Sequence, residues 1–194
     1  MAHRFSHAIA EGDGISVIAA VEDSDSARAA EEQRAEALVV RGDPAGLRDA
    51  TGLPILWRAD VSLDEASRSA DAYLLVFDNH DDEDGRLEAL HRRALELGLD
   101  CAVEVRDEEQ LERALDRIDP EIFLLSPAEA DDDESPLEVV LDLLAAVPAG
   151  KLAIADLALT TPDAVLELER AGCDAVIVHG PEIAPLAGGP PPEV

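Results

Sequence analysis

Seven side chains able to do chemistry recur at one kind of place in this sequence, the end of a short apolar run. Glu22 follows Ser-Val-Ile-Ala-Ala-Val, Arg58 follows Pro-Ile-Leu-Trp, Asp78 follows Ala-Tyr-Leu-Leu-Val-Phe, and Glu104 lies inside Cys-Ala-Val-Glu-Val. Ser126 follows Ile-Phe-Leu-Leu, Asp156 follows Leu-Ala-Ile-Ala, and His179 follows Ala-Val-Ile-Val. Carboxylates and an imidazole brought together can act as general bases, or they can hold a divalent ion or an amine, because several buried carboxylates are costly unless a cation is bound or some are protonated. Arg58 is restricted to binding and charge balance, since a guanidinium with a pKa above about 12 donates no proton near neutrality.

The elements that must position these residues are legible in the hydrophobic pattern. Apolar strand-like runs occupy 15–21, 37–40, 54–57, 72–77, 100–105, 121–125, 151–155 and 174–178. Helical periodicity lies between them: Leu87, Leu90, Ala94 and Leu97 within 81–97, Leu111, Ala114 and Leu115 within 107–118, and Val139, Val140, Leu143 and Leu144 within 136–147. Thr161 before Pro162 supplies a helix cap with proline in the first turn, and Gly98 and Gly172 sit where a helix end requires a positive φ. Continuous Val/Ile/Leu strands alternating with helices predict a parallel sheet covered by helices, and eight repeats favour a closed (β/α)8 TIM barrel over an open sheet. The first strand is followed by no G-x-G-x-x-G turn, which argues against a dinucleotide fold.

The expected barrel is compact and of one domain, 1–187. About a dozen residues separate the second and third strands, so the loops there are short and the helix between is one or two turns at most. Beyond the eighth strand, Gly188-Gly189-Pro190-Pro191-Pro192 breaks helix, so the last helix is truncated or absent and 188–194 is read as a disordered tail.

Composition sets the weight of every charge. Asp and Glu number 44 against 15 Lys and Arg, giving −29, and the basic set is 14 Arg with one Lys, Lys151. Such acid excess fits the cytosol of a halophile, where molar salt shortens the Debye length to about 3 Å. It opposes nucleic acid and anionic membranes, and no Lys/Arg run offers a local exception. The apolar runs are too short to span a bilayer, and residues 1–13 lack the continuous apolar core of a secretory signal. Cys101 and Cys173, far apart and in no CxxC, read as reduced, half-buried thiols of a cytoplasmic protein. His3 and His7 share ligand spacing, but in a terminus expected to fray. The acidic runs at 81–84 and 131–134 read as helix N-termini that suit the macrodipole and imply no calcium.

The stretch 103–111, Val-Glu-Val-Arg-Asp-Glu-Glu-Gln-Leu, resembles the fifth strand and helix of the indole-3-glycerol phosphate synthase family, the ribulose-phosphate-binding barrels of tryptophan biosynthesis. The stretches 15–22, 53–60, 70–77 and 171–178 resemble that family's first, third, fourth and eighth strands in order and spacing. The resemblance implies a lyase barrel with Glu104 at the carboxyl end of the fifth strand. It also exposes losses. Where the family has a catalytic Glu and then a Lys on the first strand, this chain has Ala20 and Glu22. The third strand's Lys-Asp-Phe, whose lysine is the general acid, is Arg58-Ala59-Asp60, and the fourth strand's lysine is Asp78. The sixth strand's Asn and Arg are Ser126 and Ala128, the seventh strand's Glu-Ser-Gly is Asp156-Leu157-Ala158, and the eighth strand's Gly-Ser is His179-Gly180. Gly180 alone favours the family's phosphate-binding backbone.

If Glu104 faces the barrel axis as in the family, Glu22, Arg58, Asp78, Ser126, Asp156 and His179 share its layer. One reading is a divergent barrel without the synthase reaction, a binding or regulatory module for a small molecule or cation at the mouth. There Glu22, Ser126 and Gly180 contact the ligand, or the acids are simply solvated with Arg58 paired to Asp78 or Asp156. A second is a remodelled lyase or isomerase, with Glu104 and Arg58 as catalytic groups and Asp78, Asp156 and His179 around a divalent metal, and a third, implied by the resemblance, is an indole-3-glycerol phosphate synthase of tryptophan biosynthesis.

Overall fold

A computed structural model describes residues 3–11, 14–42, 45–58, 63–76, 85–127, 135–157 and 161–186. Asp78, Ala59, Asp60, Ala128, Ala158, the acidic runs 81–84 and 131–134 and the tail 188–194 lie outside them. Eight strands form a closed parallel barrel in chain order. They are β1 (Ser16–Val21), β2 (Ala37–Val40), β3 (Ile55–Trp57), β4 (Ala72–Val76), β5 (Asp100–Val105), β6 (Ile122–Leu125), β7 (Leu152–Asp156) and β8 (Ala175–His179). Closure is made by β8 on β1, with Ser16 opposite Ala175 and Ala20 opposite His179.

Helices follow seven of the strands: α2 (Ser24–Glu32), α3 (Ala45–Arg48), α4 (Leu63–Ala66), α5 (Arg86–Glu96), α6 (Glu108–Arg117), α7 (Pro136–Ala146) and α8 (Pro162–Ala171). As the short 41–53 connection predicts, α3 is one turn. The Thr161 hydroxyl accepts from the Ala164 N–H at 3.2 Å, and Gly98 and Gly172 take φ of 75° and 90°. Among the described residues no helix follows β8. The segment after it is instead tied to the end of α2 by Gln33, whose Nε2 donates to the Pro181 carbonyl at 2.8 Å while its Oε1 accepts from the Ile183 N–H at 2.9 Å.

The terminus expected to fray is ordered. Residues Arg4–Ala10 form α1, which seats Phe5 and Ile9, 0% and 2% exposed, against the barrel's interior. Its N-terminus is capped from across the molecule: the buried Asp100 carboxylate, at the start of β5, accepts from the N–H groups of Phe5 at 3.1 Å and Ser6 at 2.9 Å. His3 bonds the same carboxylate through Nδ1 at 2.9 Å, and His7 pairs with Glu11, so the two histidines do not share a ligand.

Alternation along each strand divides the core in two. Val17, Leu38, Val40, Trp57, Leu75, Val103, Val105, Phe123 and Val176 face outward to the helices. Ile18, Val39, Leu56, Leu74, Ala102, Leu124, Ile154 and Ile177 fill the barrel, with α1 beneath them. The interior is therefore packed through its lower and middle layers, and only its carboxyl end is open to chemistry.

Candidate active site

The inward parity of Ile18, Val39, Leu56, Leu74, Ala102, Leu124, Ile154 and Ile177 carries two residues further to Ala20, Arg41, Arg58, Val76, Glu104, Ser126, Asp156 and His179. Register agrees: Val76 lies opposite Glu104, Glu104 opposite Leu124, Asp156 opposite Ile177 and Ala20 opposite His179. The described members of the sequence-predicted set thus stand at one end of the barrel, whose carboxyl-terminal rim is the functional end in this architecture. Asp78 lies outside the described residues.

Arg58 organises the mouth. It donates through Nη1 to Asp156 Oδ2 at 2.7 Å and through Nη2 to Glu104 Oε1 at 2.9 Å. Glu104 is 1% exposed, and its Oε1 also accepts from Arg106 Nη2 at 3.3 Å, whereas its Oε2 is buried without a hydrogen-bond partner. Asp156 has a second partner, His179 Nε2, 2.6 Å from its Oδ1. Burial alone would raise the Asp156 carboxyl, but the hydrogen bond and charge of His179, then those of Arg58, outweigh it and hold the group below the usual carboxylate range. A carboxylate only accepts, so the bonded Nε2 carries the hydrogen and Nδ1 is the basic nitrogen of the neutral ring.

Beside this network lies a cavity of about 260 Å³ lined by Arg41, Arg58, Asp156, His179, Glu22 and Gly180, among others. Glu22 and Gly180 also line a second cavity of about 320 Å³ between β1, α2 and the segment after β8. Ser126 lines neither of these two cavities; its N–H is spent on the Val105 carbonyl at 3.1 Å. No group of three His, Cys, Asp or Glu side chains among the described residues converges on a point. Of the residues expected around a metal, Asp156 and His179 are adjacent but bonded to each other, with the Arg58 guanidinium as the counter-charge.

Two mouth residues escaped the sequence reading, Arg41 and Arg106. The signal was present, since Arg41 is two beyond inward Val39 and Arg106 two beyond Glu104, but isolated arginines form no motif in a chain with 44 acidic residues. Lys151, the chain's sole lysine, precedes β7 at the opposite end of the barrel, paired with Asp119 at 2.7 Å. The cysteines are buried rather than half-buried, each 5% exposed, and burial pushes both thiols up to about 12, which leaves them inert at neutral pH.

Comparison with known proteins bears on the same barrel. The family model of indole-3-glycerol phosphate synthase matches residues 60–183, a span that begins after β3. The indole-3-glycerol phosphate synthase of Geobacillus sp. (strain WCH70) is 31% identical over 144 residues, covering 71% of this chain and 55% of that protein. The synthase of Laribacter hongkongensis (strain HLHK9) is 34% identical over 138 residues, covering 68% and 51%. The chain spans about half the length of the curated relatives it matches. Among solved structures, the N-acetylmannosamine-6-phosphate 2-epimerase from Clostridium perfringens superposes with a TM-score of 0.72 at 14% identity over 86% of each chain. The thiamine phosphate pyrophosphorylase from Pyrococcus furiosus does so with 0.62 at 19% identity over 85% of each. At those identities the likeness is one of fold. By its sequence match, carried on a closed eight-stranded barrel with Glu104 at the end of β5, the chain belongs to the indole-3-glycerol phosphate synthase family.

Proposed function

We propose that this barrel does not carry out the ring closure for which its relatives are named, and that it holds a small molecule at the mouth. One observation carries the reading. The position that the family resemblance gives to a general-acid lysine is Arg58, and its guanidinium is bonded to both Glu104 and Asp156. An arginine so placed binds and balances charge but does not deliver a proton near neutral pH. No neighbour can substitute as a lysine, because Lys151 lies at the far end. The cavity beside Arg58 supplies the room for a ligand, and the inward Arg41, Asp156 and His179 supply its polar contacts. A general acid of this kind contributes about 10²–10⁴-fold to rate.

Incubation with carboxyphenylamino-deoxyribulose phosphate in 2 M KCl, followed by indole-glycerol phosphate fluorescence, should show no turnover above a protein-free control. Turnover at a rate typical of enzymes, of order 1 s⁻¹ or more, would overturn the reading and make the chain a working synthase.

A further inference from the structure

We propose that the mouth performs proton transfer next to a carbonyl of a small anionic compound, with His179 taking and returning the proton, Asp156 positioning it, Arg58 facing the carbonyl oxygen and Arg41 holding the anionic group. This rests on the reading that the mouth takes a small molecule and adds chemistry unlike that of the lost lysine. Three observations converge on it. Asp156 is 7% exposed and grips His179 Nε2 at 2.6 Å, which is how a carboxylate fixes one tautomer and orients an imidazole. The carboxylate is itself fixed through its other oxygen by Arg58 at 2.7 Å, so the base stands on a rigid support. The ring, Arg58 and Arg41 then border one cavity of about 260 Å³, close to the lower end of the roughly 300–1,000 Å³ usual for ligand clefts.

The chemistry is balanced without an oxidant, a reductant or a metal ion. The neutral ring removes the hydrogen on the carbon next to the carbonyl as a proton. The electron pair of that C–H bond becomes a C=C bond, and the carbonyl π pair moves to oxygen. Arg58 uses one hydrogen on each Nη for the two carboxylates and keeps a second on each for that oxygen, where a donor aimed at developing charge lowers the barrier. The imidazolium beside Asp156 then returns its proton to carbon. Return to the same carbon gives exchange with solvent, and return to the neighbouring carbon of a hydroxyketone, with the hydroxyl proton of the first carbon passing to the oxygen at Arg58, gives its isomer. The anionic group can be carboxylate or phosphate, both of which a guanidinium holds through paired N–H groups.

The test uses the whole chain in deuterated 2 M KCl and follows loss of the C–H signals next to the carbonyl by proton NMR. Three probes separate the sources of charge: dihydroxyacetone phosphate, 2-oxobutyrate and uncharged hydroxyacetone. Exchange at least tenfold over the protein-free rate is expected for one of the two anions and not for hydroxyacetone. H179Q should abolish it. D156N, which keeps the shape but loses the charge that orients the ring, should cost about 10²–10⁴-fold in kcat with little change in KM. R41Q should act mainly by raising KM. Absence of exchange with both anions overturns the proposal, as does exchange that survives in H179Q, while equal exchange of hydroxyacetone removes the role of Arg41. Turnover of the anthranilate-linked ribulose phosphate would overturn the loss of synthase activity and leave this test untouched.

Discussion

Glu104 shows what a single residue's surroundings change. Read from sequence, it is one of a crowd of acids, and its neutralisation would be expected to relieve repulsion with Asp78 and Asp156. The structure puts Arg58 between Glu104 and Asp156 and Arg106 on the same Glu104 oxygen, so the carboxylate is a buried partner of two cations. Removing one member of a buried pair strands the other. Glu104→Gln should therefore lower unfolding free energy by about 1–3 kcal/mol, the scale of a buried charge-assisted hydrogen bond, read as a lower midpoint in urea with the slope unchanged. An unchanged or raised midpoint would mean that the network is solvated and carries no such coupling. Asp156 adds a pH limb of the opposite kind to burial. Its folded pKa is depressed, so its ionised form favours the fold above an unfolded value of about 4, and that contribution fades as pH falls below it. Most of the mouth was legible because strand parity points where the side chains go. The pairing was legible in part: Asp156 is one of the two partners expected for Arg58, whereas the second bond, to Glu104, depends on the reach of side chains from β3 and β5.

At the scale of elements, the strands and the helices α6 and α7 were readable within a residue or two, because their apolar periods are local, while α5 begins at Arg86, five residues inside the 81–97 segment. The larger exception is α1. Arg-Phe-Ser-His-Ala-Ile-Ala has two large apolar residues in seven, too few to announce a helix, and its stability comes from elsewhere. Phe5 and Ile9 bury themselves against the barrel interior, and the cap comes from Asp100, some 95 positions along the chain. A cap normally sits beside the helix in sequence, so no local signal announces this one. Asp100→Ala should cost about 1–2 kcal/mol, the upper half of the range for cap loss, and Asp100→Asn, which keeps an acceptor oxygen, should cost less. Hydrogen exchange distinguishes a cap from a general core defect. In Asp100→Ala the amides of α1 should lose protection before those of β5, and equal loss across the barrel would refute the role assigned to Asp100.

For the whole molecule, the charge of −29 and the balance at the mouth have to be held together. Three of the chain's 14 arginines, Arg41, Arg58 and Arg106, stand at the carboxyl end of the barrel with Glu22, Glu104 and Asp156, so with His179 neutral these six sum to zero. Among the described residues further acid lies on exposed helix faces such as Asp25, Glu96, Glu108 and Glu109. Charges of this kind repel across water and are screened within about 10 Å at 0.1 M salt and about 3 Å at 1 M. The buried pairs at the mouth, with Glu104, Asp156 and Arg58 side chains 1%, 7% and 17% exposed, are largely shielded from mobile ions. Two salt responses should then separate within one protein. The melting temperature of the wild-type chain should climb steeply between 0.1 and 2 M KCl as surface repulsion is screened. The difference between wild type and Glu104→Gln should stay constant to within about 0.5 kcal/mol, the tolerance for independent contributions. If that difference instead collapses as KCl rises, the mouth is open to solvent ions, and the fixed Arg58 bridge on which both its binding role and its proposed chemistry depend does not persist in solution.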